Sequence, residues 1–325
     1  MIKYIVRRLL YSIPILIGVN ILTFCLFFIV NSPDDMAAVH LGQKHVSQDT
    51  IGAWKKNRGY DLPLFLNNEK SGTQQFTKTI FYQKSLKLFT FDFGRSDAGR
   101  NITDDIMQRM WPSLAIAIPT LLLGLALNIS LALLVVFFRD TYLDTAGVFI
   151  FVVMLSISTL FYIIGGQYLI AKTLKWVPIS GYVEGPLFFK FLILPVLIGV
   201  LGGVGAGARW YRTLFLEEID KEYVRTAYAK GLSVPRVLFK HVLPNAMIPI
   251  LTGVVAILPL LFLGSLLTES FFGIPGLGSY TIDAINQQDF AIVRCMVFLG
   301  SVLYILGLIL TDIAYTIVDP RVRFN

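Results

Sequence analysis

The chain has 325 residues, of which 55% are hydrophobic and only 15% charged, with a formal net charge of +7 and a mean hydropathy of +0.67. So apolar a composition lies outside the range of water-soluble domains and excludes an ordinary soluble enzyme. The basic residues gather beside apolar runs, where they set membrane orientation rather than grip phosphates, so no nucleic-acid partner is expected.

Six runs are long enough to cross a bilayer, which takes about 20 largely apolar residues per helix. They lie near Leu9–Val30, Ser113–Phe138, Gly147–Ala171, Phe191–Ala208, Asn245–Leu267 and Ile292–Val318. The first exceeds the apolar core of a cleaved signal and is followed by no small-x-small site, so it is expected to remain as an anchor. The expected plan is an all-α membrane protein with six transmembrane helices. It comprises a tail and first span (1–30), a polar cap segment (31–112), a core of five spans (113–318) enclosing the loop 209–244, and a short tail (319–325).

Orientation follows from the basic residues. Lys3, Arg7, Arg8, Arg139, the seven Lys/Arg of 209–244, Arg321 and Arg323 fall on one side, and Lys172, Lys175, Lys190 and Arg294 on the other. The richer side is cytoplasmic by the positive-inside rule, which places both termini inside and the cap outside. The cap is too long to enter that comparison. It mixes both charges and shows two short helical stretches, Thr50–Lys56 and Asn101–Met110, the second with Asp104 and Asp105 at its positive end. His40 and His45 lack companion ligands, and Cys25 and Cys295 lie within apolar runs, so neither a metal site nor a disulfide framework is expected.

Within the loop 209–244, Tyr211–Lys230 is expected to be helical, with an apolar stripe of Leu214, Ile219, Val224 and Ala227 or Tyr228. Gly231 closes it, being the cheapest residue in a left-handed conformation. Ser233 can cap a second helix with Pro235 in its first turn, running to Leu243-Pro244.

Downstream, Glu269-Ser-Phe-Phe-Gly-Ile-Pro-Gly-Leu-Gly278 reads either as a glycine-rich turn between spans or as a re-entrant gating segment. Its gate or pathway candidates are Glu269, Phe272, Pro275, Gly276 and Gly278. Asp312 joins them as an acidic residue inside the last span, where insertion costs about 2.5–3.5 kcal/mol. An interfacial pairing of Asp312 with Arg321 or Arg323 is the alternative. The sequence contains no phosphate-cradling Gly-x-x-x-x-Gly-Lys-Ser/Thr loop, no Gly-x-Ser-x-Gly elbow and no His-Glu-x-x-His pair, so the chain is expected not to be an enzyme and to bind no cofactor of its own.

The order Arg225-Thr226-Ala227, Gly231, Leu243-Pro244 resembles the Glu-Ala-Ala loop of importer-type ATP-binding-cassette permeases. Arg225 and Thr226 stand where the family at large has Glu and Ala, and His241 where it often has Ile. Together with Tyr4–Leu10, Gly59–Leu64, Asp92–Ser96, Pro178–Gly181, Glu269–Gly278 and Asp319–Arg323, the pattern is similar to the dipeptide and oligopeptide branch, and within it to the first of two paired permease subunits.

The resemblance implies a type I importer permease fold in a bacterial cytoplasmic (inner) membrane. It implies a homologous second permease subunit as heterodimer partner, two cytoplasmic ATP-binding subunits that hold ATP and magnesium, and an extracytoplasmic substrate-binding protein. It further implies that Glu222, Tyr223, Arg225, Thr226, Ala227, Lys230, Gly231, Leu243 and Pro244 form a coupling element against an ATPase subunit. The implied substrate is a short peptide, although the same architecture also imports nickel chelates and other small solutes. An ion-coupled secondary transporter is the rival class, but it calls for several intramembrane carboxylates and inverted repeats, and only Asp312 qualifies here.

Overall fold

The computed structural model describes residues 2–42, 47–183, 185 and 187–318. His45, Glu184 and the Asp319–Arg323 motif, including both proposed arginine partners of Asp312, lie outside them. The described residues form helices and loops, with one isolated antiparallel bridge between Arg95 and Asn101. They divide into two compact units, one built from 1–109 with 280–309 and the other mainly from 110–279.

The first unit begins with α1 (Ile2–Cys25), which continues as a π-helical turn over Leu26–Val30. Helix α2 (Pro33–Leu41) starts at a capping box: the Ser32 hydroxyl accepts from the Asp35 N–H at 3.2 Å while Asp35 accepts from the Ser32 N–H at 3.1 Å. Helix α3 (Gln48–Arg58) is capped by Ser47 and closed by Gly59 at φ +67°. Two short helices, α4 (Gln74–Thr77) and α5 (Ile80–Lys84), and a 3₁₀ turn over Leu86–Thr90 complete the cap segment. Phe24 and Phe28 at the end of the first span and Met36, Trp54, Tyr60 and Ile80 of the polar-looking segment bury one another here, so that segment shares a largely aromatic core with the span. The stretch expected as a separate cap helix, Asn101–Met110, is instead the first three turns of the 36-residue helix α6 (Ile102–Phe137), because nothing between Met110 and Ser113 breaks the helix and Pro112 is absorbed within it.

The second unit continues from α6 through α7 (Tyr142–Ser156), α8 (Thr159–Gly166, extended by a π-helical turn to Thr173) and α9 (Phe188–Ile219). The third span, expected near Gly147–Ala171, is bent by 88° between α7 and α8. Ile157 and Ser158 adopt extended backbone there, and Ser158 becomes the N-cap of α8. Helices α7 and α9 approach so closely that a Cβ on Gly205 would lie 2.5 Å from the Leu155 nitrogen, and Val135, Phe151, Val204 and Ala208 seal the contact.

Five further helical stretches are long and apolar enough to cross a membrane: Val6–Val30, Ile102–Phe137, Phe188–Ile219, Val234–Leu263 and Phe290–Ala314. With the bent pair counted as one, the total reaches the six expected.

Candidate functional site

The loop 209–244 is organised differently from the single helix Tyr211–Lys230 expected. Helix α9 runs unbroken out of its span to Ile219, the chain breaks at Asp220-Lys221, and a separate two-turn helix, α10 (Glu222–Ala229), follows. The break occurs because Lys221 takes extended backbone (φ −74°, ψ 148°) to start the new helix. The chain then passes through Gly231 into α11 (Val234–Val237), with Pro235 in its first turn. A π-helical turn, Leu238–Val242, leads into α12 (Leu243–Ile257), with Pro244 in the first turn of α12.

Helix α10 is amphipathic to an extreme. Val224 and Ala227 are buried, and every other residue from Lys221 to Lys230 is exposed. The buried pair enters a core made by Leu133 and Val136 of α6, Phe215 of α9, Val237 of α11, Val242 and Ala246. Because they stand three residues apart, both face the same side, and the opposite side presents Glu222, Arg225, Thr226 and Lys230. The Glu222–Arg225 contact at 2.7 Å joins two exposed side chains, so it adds little to stability.

Both ends of α10 are fixed. At its start the Tyr223 hydroxyl donates to the Glu218 carboxylate of α9 and accepts from Asn245 Nδ2 of α12 at 3.1 Å. Lys221 Nζ reaches the other Glu218 oxygen at 2.6 Å, and Asn245 also donates to the His241 carbonyl at 2.7 Å. Burial and the Glu218 carboxylate push the Tyr223 phenol above its ordinary pKa. At its end, Gly231 at φ +77° donates to the Tyr228 carbonyl (2.9 Å) and Leu232 to the Ala227 carbonyl (3.4 Å), the double closure of a Schellman motif. Glu218 and Asn245 were not among the sequence-derived candidates. Their link to Tyr223 crosses a helix break and a 22-residue gap, so no periodicity announces it. At the base of the same unit Arg212 of α9 grips Asp144 of α7 in a forked pair at 2.7, 2.9 and 3.0 Å.

The second set of candidates occupies α13 (Leu266–Phe272), α14 (Leu277–Asn286) and the turn between them. Glu269 is 1% exposed. One carboxylate oxygen accepts from the Ser265 N–H (3.1 Å), the other from the N–H groups of Gly278 (2.7 Å) and Ser279 (3.1 Å) in the first turn of α14. The Ser113 hydroxyl donates to Glu269 and accepts from the Leu277 N–H at 2.8 Å. Burial pushes the Glu269 carboxyl above the usual carboxylate range, and these four hydrogen bonds oppose that rise.

Two glycines leave room for the carboxylate: a Cβ at Gly276 would stand 2.2 Å from one Glu269 oxygen, and one at Gly264 2.0 Å from the other. Glycine at 278 has a different cause, since a Cβ there would collide with the Ser265 carbonyl at 2.6 Å. Phe272 is 2% exposed and packs among Ile116, Ile163 and Leu192, while Pro275 is half-buried. Glu269 and Ser113 border a crevice of about 310 Å³ lined also by Thr120, Gly199, Leu260 and Gly264. Asp312, half-buried on α15 (Phe290–Val318), lies outside this turn.

No group of three or more His, Cys, Asp or Glu placed to hold a metal occurs among the described residues. The chain matches the family model described as binding-protein-dependent transport system inner membrane component over residues 131–324, and the corresponding N-terminal model over 1–117. It is 32% identical to a peptide transport system permease protein of Brucella abortus, over 99% of each chain. Identity is 29% to the oligopeptide transport system permease protein AppB of Bacillus subtilis over 100% of both chains, and 27% to the dipeptide transport system permease protein DppB of the same organism over 100% of this chain and 99% of the relative. A helical chain with five to six bilayer-length segments, matched from end to end in this way, is a multi-pass permease subunit of a cytoplasmic membrane whose ATPase and substrate-binding components are separate proteins. The protein belongs to the family of binding-protein-dependent transport system inner membrane components.

Proposed function

We propose that this chain forms half of the translocation pathway for short peptides in an ATP-driven importer. A homologous second permease subunit supplies the other half, an extracytoplasmic binding protein delivers the peptide, and two cytoplasmic ATPase subunits drive the cycle. The loop 209–244 and both termini lie in the cytoplasm in this reading.

The observation that carries the coupling role is the construction of α10. Its exposed face offers Glu222, Arg225, Thr226 and Lys230, while Val224, Ala227, Tyr223 and the Gly231 closure tie it to α6, α9, α11 and α12. A push on this knob by a closing ATPase pair has few internal degrees of freedom in which to dissipate, and it passes to the packed spans as a rigid-body displacement. Leu243 and Pro244 serve at the far end, where the loop rejoins the membrane helix. The turn around Glu269, with Phe272, Pro275, Gly276 and Gly278, borders the crevice along α6 and α9 and acts as a pathway element, and Asp312 remains a second pathway candidate.

Peptide is favoured as cargo by the names of the relatives aligned over nearly the whole chain, which are peptide, oligopeptide and dipeptide permeases. The test is uptake of labelled di- and tripeptides by proteoliposomes holding the complete transporter, with a Thr226→Cys variant cross-linked to single-cysteine ATPase subunits. Uptake should require ATP and survive collapse of the proton gradient, and the cross-link should form and block it. Gradient-dependent uptake, or a Thr226→Cys side chain reached only from the binding-protein side, would refute the proposal.

A further inference from the structure

The first unit contains a basic pocket that includes none of the residues assigned above to coupling or to the pathway. It has a volume of about 150 Å³ and is lined by Lys84, Lys87, Arg95 and Arg294 against the single carboxylate of Asp92. Arg294 is 4% exposed, and among the described residues neither it nor Arg95 has a carboxylate within ion-pair distance. Its guanidinium lies over the Phe28 ring at 4.6 Å and donates to the Phe290 and Lys84 carbonyls, at 3.1 and 3.4 Å. Lys87 meets Asp92 only at 3.7 Å, with both side chains about half exposed, a contact that yields easily to a better ligand. Burial, then the charge of Arg294, push the Lys84 ammonium down to about 8. The pocket sets four cations against the one carboxylate of Asp92, with Asp97 and Asp289 acting on Arg294 from outside its lining, an excess of positive charge where buried charge is ordinarily paired.

Depth identifies the missing partner. Asn20 of α1 donates to the Ser85 carbonyl at 3.2 Å, and Arg294 of the pocket stands four residues inside the start of the last span at Phe290, ~6 Å along the axis at 1.5 Å per residue and so near the end of that span rather than its middle. Phe89 packs on Phe298, two turns inside the last span, with ring centroids 5.2 Å apart. The 85–91 segment therefore lies against the flanks of two spans rather than above their ends. Its Leu86 and Phe91 are exposed, at 40% and 55%, and flank Lys87 on both sides in sequence. Apolar side chains bare to the surroundings beside a basic pocket, at the flank of membrane spans, form the pattern of an interfacial lipid site.

We propose that this pocket binds the phosphate of an anionic phospholipid from the leaflet on the cap's side, with Lys84, Lys87, Arg95 and Arg294 around the headgroup and Leu86 and Phe91 against the acyl chains. The recognised chemistry is a phosphate oxyanion, which a free phosphate shares, and the acyl contacts distinguish the two. One water occupies ~30 Å³ of liquid, so the pocket has room for a phosphate and its remaining hydration.

The test titrates the full-length chain in mild detergent with phosphatidylglycerol and counts retained lipids by native mass spectrometry, beside Lys87→Gln/Arg95→Gln and Asp92→Asn variants. One phosphatidylglycerol per chain should be held at least tenfold more weakly by the double variant and more tightly by Asp92→Asn. An excess of inorganic phosphate should leave it in place. Displacement by inorganic phosphate at matched concentration would show a free-oxyanion site and overturn the lipid assignment. Equal retention by the wild type and both variants, or equal retention of phosphatidylcholine, would overturn the pocket as a site for anionic lipid.

Discussion

Glu269 offers the sharpest quantitative test, because its almost fully buried carboxylate holds three backbone N–H groups from two helices. Glu269→Gln retains the shape but has one acceptor oxygen. If that oxygen faces Gly278 and Ser279, the new amide N–H₂ confronts the Ser265 N–H, and the reverse orientation is worse. One buried donor left unsatisfied costs about 1–3 kcal/mol. Glu269→Ala strands all three donors and opens a void, so its cost is about 3–6 kcal/mol after partial relaxation. Thermal unfolding of the purified protein in nanodiscs should give the order wild type, Glu269→Gln, Glu269→Ala, with shifts of about 1.5 °C per kcal/mol at about 2.1 cal/mol/K of unfolding entropy per residue. Gly276→Ala should resemble Glu269→Ala, because its Cβ would enter the space of the carboxylate. An unfolding temperature for Glu269→Ala within a degree of wild type, or a change in peptide selectivity without any loss of stability, would refute this structural role of the carboxylate and favour direct contact with the transported solute.

Further outcomes are expected elsewhere. Gly231→Val should leave membrane insertion intact, since a Cβ there meets nothing within 4 Å, and cost about 1–2 kcal/mol through its left-handed backbone while abolishing peptide uptake; wild-type uptake would remove the coupling role. Tyr223→Phe should lower peptide-stimulated ATP hydrolysis with a near-normal unfolding temperature, because it frees α10 from Glu218 and Asn245 while leaving the Val224 and Ala227 contacts in place, and unchanged coupling would place the transmission elsewhere. Arg212→Ala should destabilise by about 2–4 kcal/mol, leaving the largely buried Asp144 carboxylate without its fork, as read by thermal unfolding. Because the folded Lys84 pKa of about 8 lies below the ordinary lysine value of 10.5, the unfolded chain binds the extra proton between them, and stability should rise as pH climbs through that window. Lys84→Met should flatten the rise, and an identical pH profile would contradict the burial assigned to this lysine.

Much of this architecture can be read directly from residue order. Apolar runs locate the spans, since bilayer thickness imposes the length, although the helical stretches Ile102–Phe137, Phe188–Ile219 and Val234–Leu263 each run about three turns beyond the apolar run at one end, and Gly231 marks its turn through its left-handed closure of α10. The break at Ile157-Ser158 is hidden because Leu155-Ser-Ile-Ser-Thr-Leu160 contains neither proline nor glycine. Its only trace is the Ser/Thr cluster that lets Ser158 begin a new helix. The split at Lys221 is hidden for a related reason: Asp220 and Lys221 are tolerable inside helices, and tertiary burial of Val224 and Ala227 decides where α10 lies. Glu269 is visible as an unusual acid among glycines, but its role as an internal cap depends on Ser113, 156 positions earlier, which no local pattern couples to it.

The close approach of α7 and α9 has a mechanical corollary. Gly205 seats one backbone against the other, and the Asp144–Arg212 fork pins them again two turns further along α9, so these two rods are welded at separate points and cannot slide past each other. Torque entering at the foot of one must travel through both as a single shaft. At Ile157-Ser158 the helical ladder is interrupted and the chain turns by 88°, yet the Tyr162 hydroxyl donates to the Met154 carbonyl across the bend at 2.9 Å, so α8 is carried with the pair rather than hinged freely from it.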